Sequence, residues 1–134
     1  MKYYYFIVKS DDRVVIMSQE GREFDLDTLR QGVGGCIEIV RPVRFLQVSG
    51  EHSVRMVVDD EGKLKGKNYN AAASAMYSPE CDLIVGDAIL CTEILTDEGP
   101  DVGLFCNHDL FNMMRYIKKI APQVKFEEAS NEDN

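Results

Sequence analysis

The chain has 134 residues, with 15 Lys and Arg against 23 Asp and Glu, so its formal net charge is −8 at pH 7. Hydrophobic residues make up 45% and charged residues 28%, which excludes a disordered, collagen-like or low-complexity protein and leaves room for one ordinary domain. The acidic balance argues against direct binding of nucleic acid or of an anionic membrane, because a polyanionic partner needs a basic surface.

The negative charge is concentrated at the C-terminal end. Glu127, Glu128, Glu132 and Asp133 contribute −4, so −8 − (−4) leaves −4 for residues 1–125. A protein that mimics DNA would need dense carboxylates along its folded surface, and this body supplies too few of them. We expect residues 1–125 to form the folded domain and residues 126–134 to form a disordered acidic tail.

The predicted hairpin comes first in the chain. Residues 2–9 and 13–18 are rich in aromatic and β-branched types and flank a Ser-Asp-Asp turn, which is typical of two paired strands. Both faces of each strand are apolar, so both need a cover. A short helix follows, in which Leu26, Leu29 and Val33 share one side and glycines mark the end.

The middle of the chain reads as strands separated by turns. Residues 36–40, 43–48 and 54–59 are predicted as extended, with Pro42 as an interruption. A strong turn follows at residues 60–63.

The remaining elements alternate between helix and strand. Asn70 is predicted to cap an alanine-rich helix over residues 70–77. The other predicted elements are a buried run from Leu83 to Leu95 broken at Gly86, a loop at 96–101, a strand at 102–106 and a final helix at 107–121 capped by Asn107. This order predicts an α+β single domain with a largely antiparallel sheet and two or three helices.

The double-sided apolarity of the hairpin predicts a homodimer. The final helix can cover one face of the sheet, and the second face would then need a second subunit. The helix at 70–77 or the segment 41–52 could provide that cover within one chain, so both alternatives stay open.

Residues with catalytic or metal-binding chemistry are sparse. There is no Gly-x-Ser-x-Gly motif, and the histidines are His52 and His108. Cys106, His108 and Asp109 are close in sequence but lie at a strand-to-helix junction without a second ligand pair. We therefore predict no catalytic residue, no metal and no cofactor, although an enzyme whose acid and base groups converge from distant positions stays open.

The cysteines and the N-terminus indicate a location. Cys36, Cys81, Cys91 and Cys106 form no Cys-x-x-Cys pair and lie in apolar segments, where a thiol acts as a small buried hydrophobe. Tyr3–Val8 is too short for a membrane span and lacks a secretory cleavage site. These features predict a cytoplasmic protein that does not enter a membrane.

One basic segment is unusual in this acidic chain. Lys63, Lys65 and Lys67 alternate, so an extended conformation would place them on one face and turn Leu64 toward the core. Asn68 and Asn70 follow, just before a helix N-terminus that favours an anion. The candidate ligand-binding residues are therefore Lys63, Lys65, Lys67, Asn68 and Asn70. A lysine-protected edge strand that leads into a helix cap explains the same pattern without a ligand.

Three sequence blocks resemble a small domain-of-unknown-function family found in phages, plasmids and bacteria. The blocks are Val33–Val40, which reads Val-Gly-Gly-x-Ile-Glu-x-Val, Val57–Gly66, which contains Asp-Glu-Gly-Lys-Leu-x-Gly and precedes Asn70, and Ile84–Ala88, which contains Ile-x-Gly. The resemblance implies an accessory protein of a mobile element and supplies no catalytic residue. The segment 41–52, the last helix and the acidic tail depart from the pattern.

Two functions follow from these observations. The first is a non-enzymatic binding or interaction module of the kind carried by phages or plasmids. The alternative is a binder that sequesters a small anionic metabolite or a signalling nucleotide on the lysine and asparagine segment.

Overall fold

The strands form because β-branched and aromatic residues recur along most of the chain, and the helices form where apolar spacing changes to three and four residues. The computed structural model describes residues 1–21, 24, 26–78 and 83–130. Within these ranges the strands are β1 (Lys2–Val8), β2 (Arg13–Glu20), β3 (Ile37–Val40), β4 (Val54–Asp59), β5 (Ala88–Thr96), β6 (Gly99–Gly103), β7 (Phe105–Cys106) and β8 (Lys125–Ser130). The helices are α1 (Leu26–Val33), α2 (Val43–Ser49), α3 (Ala71–Tyr77) and α4 (Asn107–Ile120).

All eight strands belong to one sheet. Its order is β3-β4-β5-β1-β2-β8, with β6 paired to β5 and β7 paired to β1. Every pair is antiparallel except β2 and β8, which are parallel. The α+β single domain and the largely antiparallel sheet are therefore confirmed, with four described helices instead of two or three.

Each face of the sheet has its own core. On the first face, α2, α3 and α4 pack over strand residues such as Phe6, Met56 and Leu90, which are fully buried. On the second face, α1 contributes Leu29 and Val33 to a smaller cluster. Burial of this apolar area is the main stabilising contribution to the fold.

The second face corrects one expectation. From the sequence, we expected a second subunit, residues 41–52 or residues 70–77 to cover this face. Instead, α1 covers much of it, and residues 41–52 and 70–77 pack on the first face. Phe24 adds to the cover, since its ring lies edge-on to Tyr5 with centroids 4.7 Å apart. The homodimer stays a prediction, but it no longer rests on an uncovered face.

Helix α2 was predicted as a strand. The segment Val43–Val48 was predicted to continue the extended run after Pro42, yet it is helical, with Gly50 in the left-handed conformation at the C-cap (φ 73°). The helix buries Phe45 completely, and the ring packs edge-on to Tyr116 of α4. Tertiary packing of this aromatic residue outweighs the weak local preference of the segment.

The start of α4 and the C-terminal strand β8 also differ from the prediction. Cys106, rather than Asn107, is the N-cap of α4, and its side chain makes no capping hydrogen bond. The predicted disordered tail from residue 126 is wrong for Phe126–Ser130, because Lys125–Ser130 pairs with β2. Pairing with β2 explains the strand, and the partly buried Phe126 packs against the core while the acidic side chains of Glu127 and Glu128 stay exposed.

The predicted loop at 96–101 is shorter than expected. β5 and β6 form a hairpin in which Thr96 pairs with Gly99, so residues 97 and 98 make the turn. No helix in the described part of the chain is long and apolar enough to cross a membrane.

Candidate functional site

A buried carboxylate lies at the end of β4. Strand alternation places the Asp59 side chain on the same sheet face as Val57, toward α1, and the side chain is fully buried. A buried carboxylate needs charged or hydrogen-bonding partners, because desolvation disfavours its ionised form. The lysine segment supplies these partners.

Two lysine ammonium groups bind this carboxylate. Lys67 Nζ lies 2.5 Å and Lys65 Nζ lies 2.9 Å from Asp59 Oδ2. The backbone N–H of Glu61 donates to Asp59 Oδ1 at 2.9 Å. We call Asp59, Lys65 and Lys67 the lysine–aspartate cluster.

The cluster keeps its carboxylate ionised. Burial alone would raise the pKa of Asp59, but the hydrogen bonds from Lys67, Lys65 and the Glu61 backbone outweigh it and lower the pKa to about 2. The hydrogen bond to Asp59 also raises the pKa of the Lys65 ammonium above its ordinary value. With two positive charges and one negative charge, the cluster carries a net charge of +1 at neutral pH.

A compact turn returns both lysines to Asp59. Residues 60–66 form consecutive turns in which the N–H of Lys65 donates to the carbonyl of Glu61 and that of Lys67 to the carbonyl of Gly62, both at 3.1 Å. The predicted extended conformation of this segment is therefore wrong. Leu64, which was expected to face the core, is 89% exposed.

Lys67 also joins the turn to the end of α1. Its Nζ donates to the carbonyl of Val33 at 2.6 Å. A cation at this position is favourable, because the last carbonyls of a helix carry partial negative charge and lack partners within the helix.

Glycines allow this close approach. A Cβ atom at Gly35 would lie 2.2 Å from Lys65 Nζ and 2.8 Å from Asp59 Oδ2, and one at Gly86 would lie 2.7 Å from the Lys67 side chain. Gly86 also has a φ of 75°, which favours glycine. Any other residue at these positions would displace a lysine of the cluster.

An open groove of about 400 Å³ lies beside Lys67. We call it the glycine groove; its lining residues are Ser10, Gln31, Gly32, Val33, Gly34, Gly66, Lys67, Asn68, Gly86 and Asp87. The Gln31 and Asn68 side chains are exposed and make no hydrogen bond within the described part of the chain. Asp87 is occupied, because it accepts from Lys9 Nζ at 3.1 Å and from the Ser10 N–H at 3.2 Å.

The predicted site residues are distributed over different surroundings. Lys67 and Asn68 line the glycine groove. Lys65 lines a second, larger groove of about 600 Å³ beside Cys36, and Lys63 lines a cavity of about 160 Å³ beside Tyr77. The structure thus brings Lys65 and Lys67 together on Asp59, while Lys63 faces a separate cavity.

Asn70 has a structural role. Its side chain is completely buried, donates to the carbonyls of Val8 and Gly86 at 2.8 Å each, and accepts from the N–H of Ala73 at 3.0 Å. The predicted cap of α3 is confirmed. Since these bonds use both the amide and the carbonyl of the side chain, Asn70 positions the groove wall at Gly86.

Other reactive side chains lie outside the glycine groove. Cys36, Asp60 and Glu61 are exposed and bring one potential metal ligand each within 4.8 Å of the others. Cys36 does not follow the expected burial, whereas Cys91 does, and desolvation raises the pKa of the Cys91 thiol to about 12. The predicted position of Cys81 lies outside the described residues.

The groove unites the three sequence blocks, since Gly34, Lys67 and Gly86 come from or directly follow one block each. A family model described as a domain of unknown function, DUF3846, matches residues 5–110. The chain belongs to the DUF3846 family. Every lining residue of the glycine groove falls inside the DUF3846 match, whereas most of α4 and all of β8 fall outside it. No curated protein and no solved structure matches the chain.

Asp59 is a central residue that was not predicted from the sequence. The adjacent pair Asp59 and Asp60 is typical of turn residues that make local hydrogen bonds, and the bond from the Glu61 N–H is of that kind. The alternation along β4 could have indicated this role. Asp59 lies on the same strand face as the buried Val57, and a buried carboxylate needs a cation as its partner.

Proposed function

We propose that this DUF3846 protein is a non-enzymatic binding module that holds a small anionic ligand in the glycine groove. The observation that carries the proposal is the position of Lys67, a lysine of the positively charged cluster, in the groove wall. This proposal joins a binding module with the small-anion alternative of the sequence analysis.

The ammonium of Lys67 has bonding capacity left. An ammonium group has three N–H donors, and Lys67 Nζ uses two of them, for Asp59 Oδ2 and the Val33 carbonyl. One donor remains for a ligand. Because the cluster is already held in place by the buried carboxylate, a ligand need not order the lysine, which reduces the entropic cost of binding.

The rest of the lining suits a polar ligand. Gln31 and Asn68 offer amide donors and acceptors, and the glycines expose backbone that a ligand can approach closely. A carboxylate or phosphate on Lys67, with hydrogen-bonding groups toward the two amides, fits this lining. A small anionic metabolite or a nucleotide has this chemistry.

The titrating groups support binding rather than acid–base catalysis. A general acid or base works best with a pKa near the operating pH. Among the described residues, the two large shifts move away from neutrality, to about 2 for Asp59 and to about 12 for Cys91. These groups stay ionised and protonated, respectively, at neutral pH.

The cellular setting is also part of the proposal. A cytoplasmic location is supported by the exposed free thiol of Cys36, since exposed thiols persist in reducing compartments. The resemblance of the three blocks supports an accessory role in a phage or plasmid. Gene neighbourhoods dominated by chromosomal housekeeping genes would contradict that role.

Thermal unfolding with a ligand panel tests the binding site. Inorganic phosphate, succinate and a nucleoside monophosphate serve as probes. A ligand at a hundredfold excess over its dissociation constant adds about 2.7 kcal/mol to the free energy of unfolding, which raises Tm by several degrees.

Asn68→Asp is the decisive variant, because it places a negative charge in the groove at an exposed position and should remove the Tm increase. Asn112→Asp, an exposed position on α4, is the matched control, and Lys63→Glu tests the separate cavity. No Tm increase with any probe, or equal loss in Asn68→Asp and Asn112→Asp, would contradict the proposed site.

A further inference from the structure

The outer edge of β3 carries backbone groups that have no partner within the described part of the chain. β3 is the first strand of the sheet order and pairs with β4 alone among the described strands. The N–H of Asp60 donates to the carbonyl of Cys36 at 3.0 Å, so these two residues form a hydrogen-bonded pair of the antiparallel ladder. Because such pairs alternate, Ile37 and Ile39 direct their N–H and C=O groups away from β4.

The pairing of β4 with β5 confirms which residues of β3 direct their backbone groups away from β4. The N–H of Glu93 donates to the carbonyl of Ser53 at 2.8 Å, which makes Ser53 and Glu93 a hydrogen-bonded pair of the β4–β5 ladder. By alternation, Val57 directs its backbone groups toward β5. Its neighbour across β3 is Ile39, which therefore has no backbone bond to β4.

The side chains of β3 do not protect this edge. Native edge strands usually carry lysines, prolines or bulges that prevent pairing with another chain. β3 reads Ile-Glu-Ile-Val, with one charge, and Ile39 is 48% exposed. The strand is short, which limits but does not block pairing.

Apolar side chains continue beside the edge. Val43 begins α2 directly after β3 and is 41% exposed. Leu83 is 53% exposed and lines one cavity together with Glu38 and Val40. Exposed apolar side chains thus lie beside the edge on the sheet face that carries Val40, where Glu38, Asp60 and Lys63 line the same cavity, and they could add buried area to that of the strand alone.

We propose that β3 pairs with β3 of a second copy of this chain, antiparallel and about a twofold axis at Ile39. In this register Ile39 forms a hydrogen-bonded pair with Ile39 of the other copy, and Ile37 lies opposite Arg41. The free N–H and C=O groups of the two strands then satisfy each other. A twofold axis gives each copy the same partner surface and closes the assembly as a dimer.

Other symmetric registers are less favourable. An axis at Glu38 would place two glutamates directly opposite each other, which is destabilising. An axis at Val40 would pair Ile37 with Val43, which is already part of α2. An axis at Ile37 would pair Ile39 with Gly35, which offers no side chain for packing. The twofold axis at Ile39 is therefore the favoured one, because it avoids facing glutamates and keeps the paired residues outside α2.

Light scattering on the full chain tests the dimer. The wild type should approach twice the 15.2 kDa of one chain as its concentration rises. Ile39→Lys replaces two facing isoleucines with two facing ammonium groups, so we expect a rise of about a hundredfold in the dimer dissociation constant. Leu95→Lys is the matched control, because Leu95 is also an exposed apolar strand residue, at 86%.

Cross-linking tests the register. In a Cys36→Ser background, Ile39→Cys should form an intermolecular disulfide on mild oxidation, since Cα atoms of a hydrogen-bonded pair lie about 5.5 Å apart. The Cys36→Ser chain alone and Leu95→Cys in that background should stay unlinked.

Three results would overturn the proposal: a mass of one chain at every concentration, a dimer that Ile39→Lys leaves intact, and a dimer that Leu95→Lys weakens equally. A dimer that persists in Ile39→Lys would point to an interface away from β3. Circular dichroism of each variant checks that the fold is retained, and the cross-link provides a readout that does not depend on Ile39→Lys.

Discussion

The lysine and asparagine segment at residues 63–70 has an inner half and an outer half of nearly the same composition. The inner residues are Lys65, Lys67 and Asn70, which bond to Asp59, to carbonyls at the end of α1 and of β1, and to the N-terminus of α3. The outer residues are Lys63, Leu64 and Asn68, which are all exposed.

Residue type alone therefore does not determine the role of a side chain in this segment. The compact turn, and not strand alternation, decides which side chains point inward, since Lys65 and Lys67 return to β4 while Leu64 points to solvent. Two lysines that would suit a protein surface therefore hold the site together, and a leucine that would suit a core is exposed.

The largest difference between the halves should appear at the asparagines. Asn70→Ala removes the cap of α3 and leaves the carbonyls of Val8 and Gly86 without their side-chain donors. We expect a loss of about 3–5 kcal/mol in the free energy of unfolding, measured by urea denaturation. Asn68→Ala should change it by less than about 0.5 kcal/mol. Equal losses would remove the distinction between inner and outer residues.

The second-largest loss in stability is expected at the buried carboxylate of Asp59. Asp59→Asn keeps the shape of the side chain but leaves two ammonium groups without their anion, so we expect a loss of about 2–3 kcal/mol. Asp60→Asn, at the exposed neighbouring position, should have little effect in the same urea titration. A larger loss in Asp60→Asn would contradict the central position of Asp59.

The same carboxylate predicts a pH dependence. Its pKa is lowered from 3.8 to about 2 in the fold, so the stabilisation is fully present above pH 3.8 and is lost as the pH falls through about 2. Urea titrations between pH 5 and pH 2 should therefore show a steeper decline for the wild type than for Asp59→Asn. Parallel curves would indicate that other carboxylates dominate acid unfolding.

Charge reversal should affect stability differently at Lys65 and Lys63, which the sequence pattern does not distinguish. Lys65→Glu places a carboxylate beside that of Asp59, so we expect Tm to fall by several degrees. Lys63→Glu should cost less than about 0.5 kcal/mol, because Lys63 is exposed and the ammonium groups on Asp59 are those of Lys65 and Lys67. Thermal unfolding of the two variants side by side provides the measurement.

The smallest effect is expected at Leu64. With 89% of its surface exposed, Leu64→Asp should leave Tm within about 1–2 °C of the wild type. A loss of cooperative unfolding in this variant would instead support the extended conformation predicted from the sequence, with Leu64 in the core. The compact turn would then be wrong.

Much of the fold follows from local sequence signals. The β1–β2 hairpin, the amphipathic pattern of α4 and the Asn70 cap of α3 are short-range features, and each is confirmed. Their signals are strong because the deciding residues lie within a few positions of each other.

The remainder depends on contacts between distant residues. Val43–Ser49 is helical because Phe45 packs onto the helical layer, and Lys125–Ser130 is a strand because β2 offers an edge. The lysine–aspartate cluster joins residue 59 to residues 65 and 67 through a turn whose geometry alternation does not reveal. Gln31 enters the groove only through the packing of α1 on the sheet.

The parallel pairing of β2 with β8 has a consequence for folding during synthesis. Arg13 pairs with Lys125 and Ser18 with Ser130, so β2 is translated long before the strand that pairs with its outer side. Until β8 is made, the β1–β2 hairpin carries an open edge on β2. Long-range pairing of this kind slows folding and prolongs exposure of an aggregation-prone edge, which makes the docking of β8 the step that protects β2.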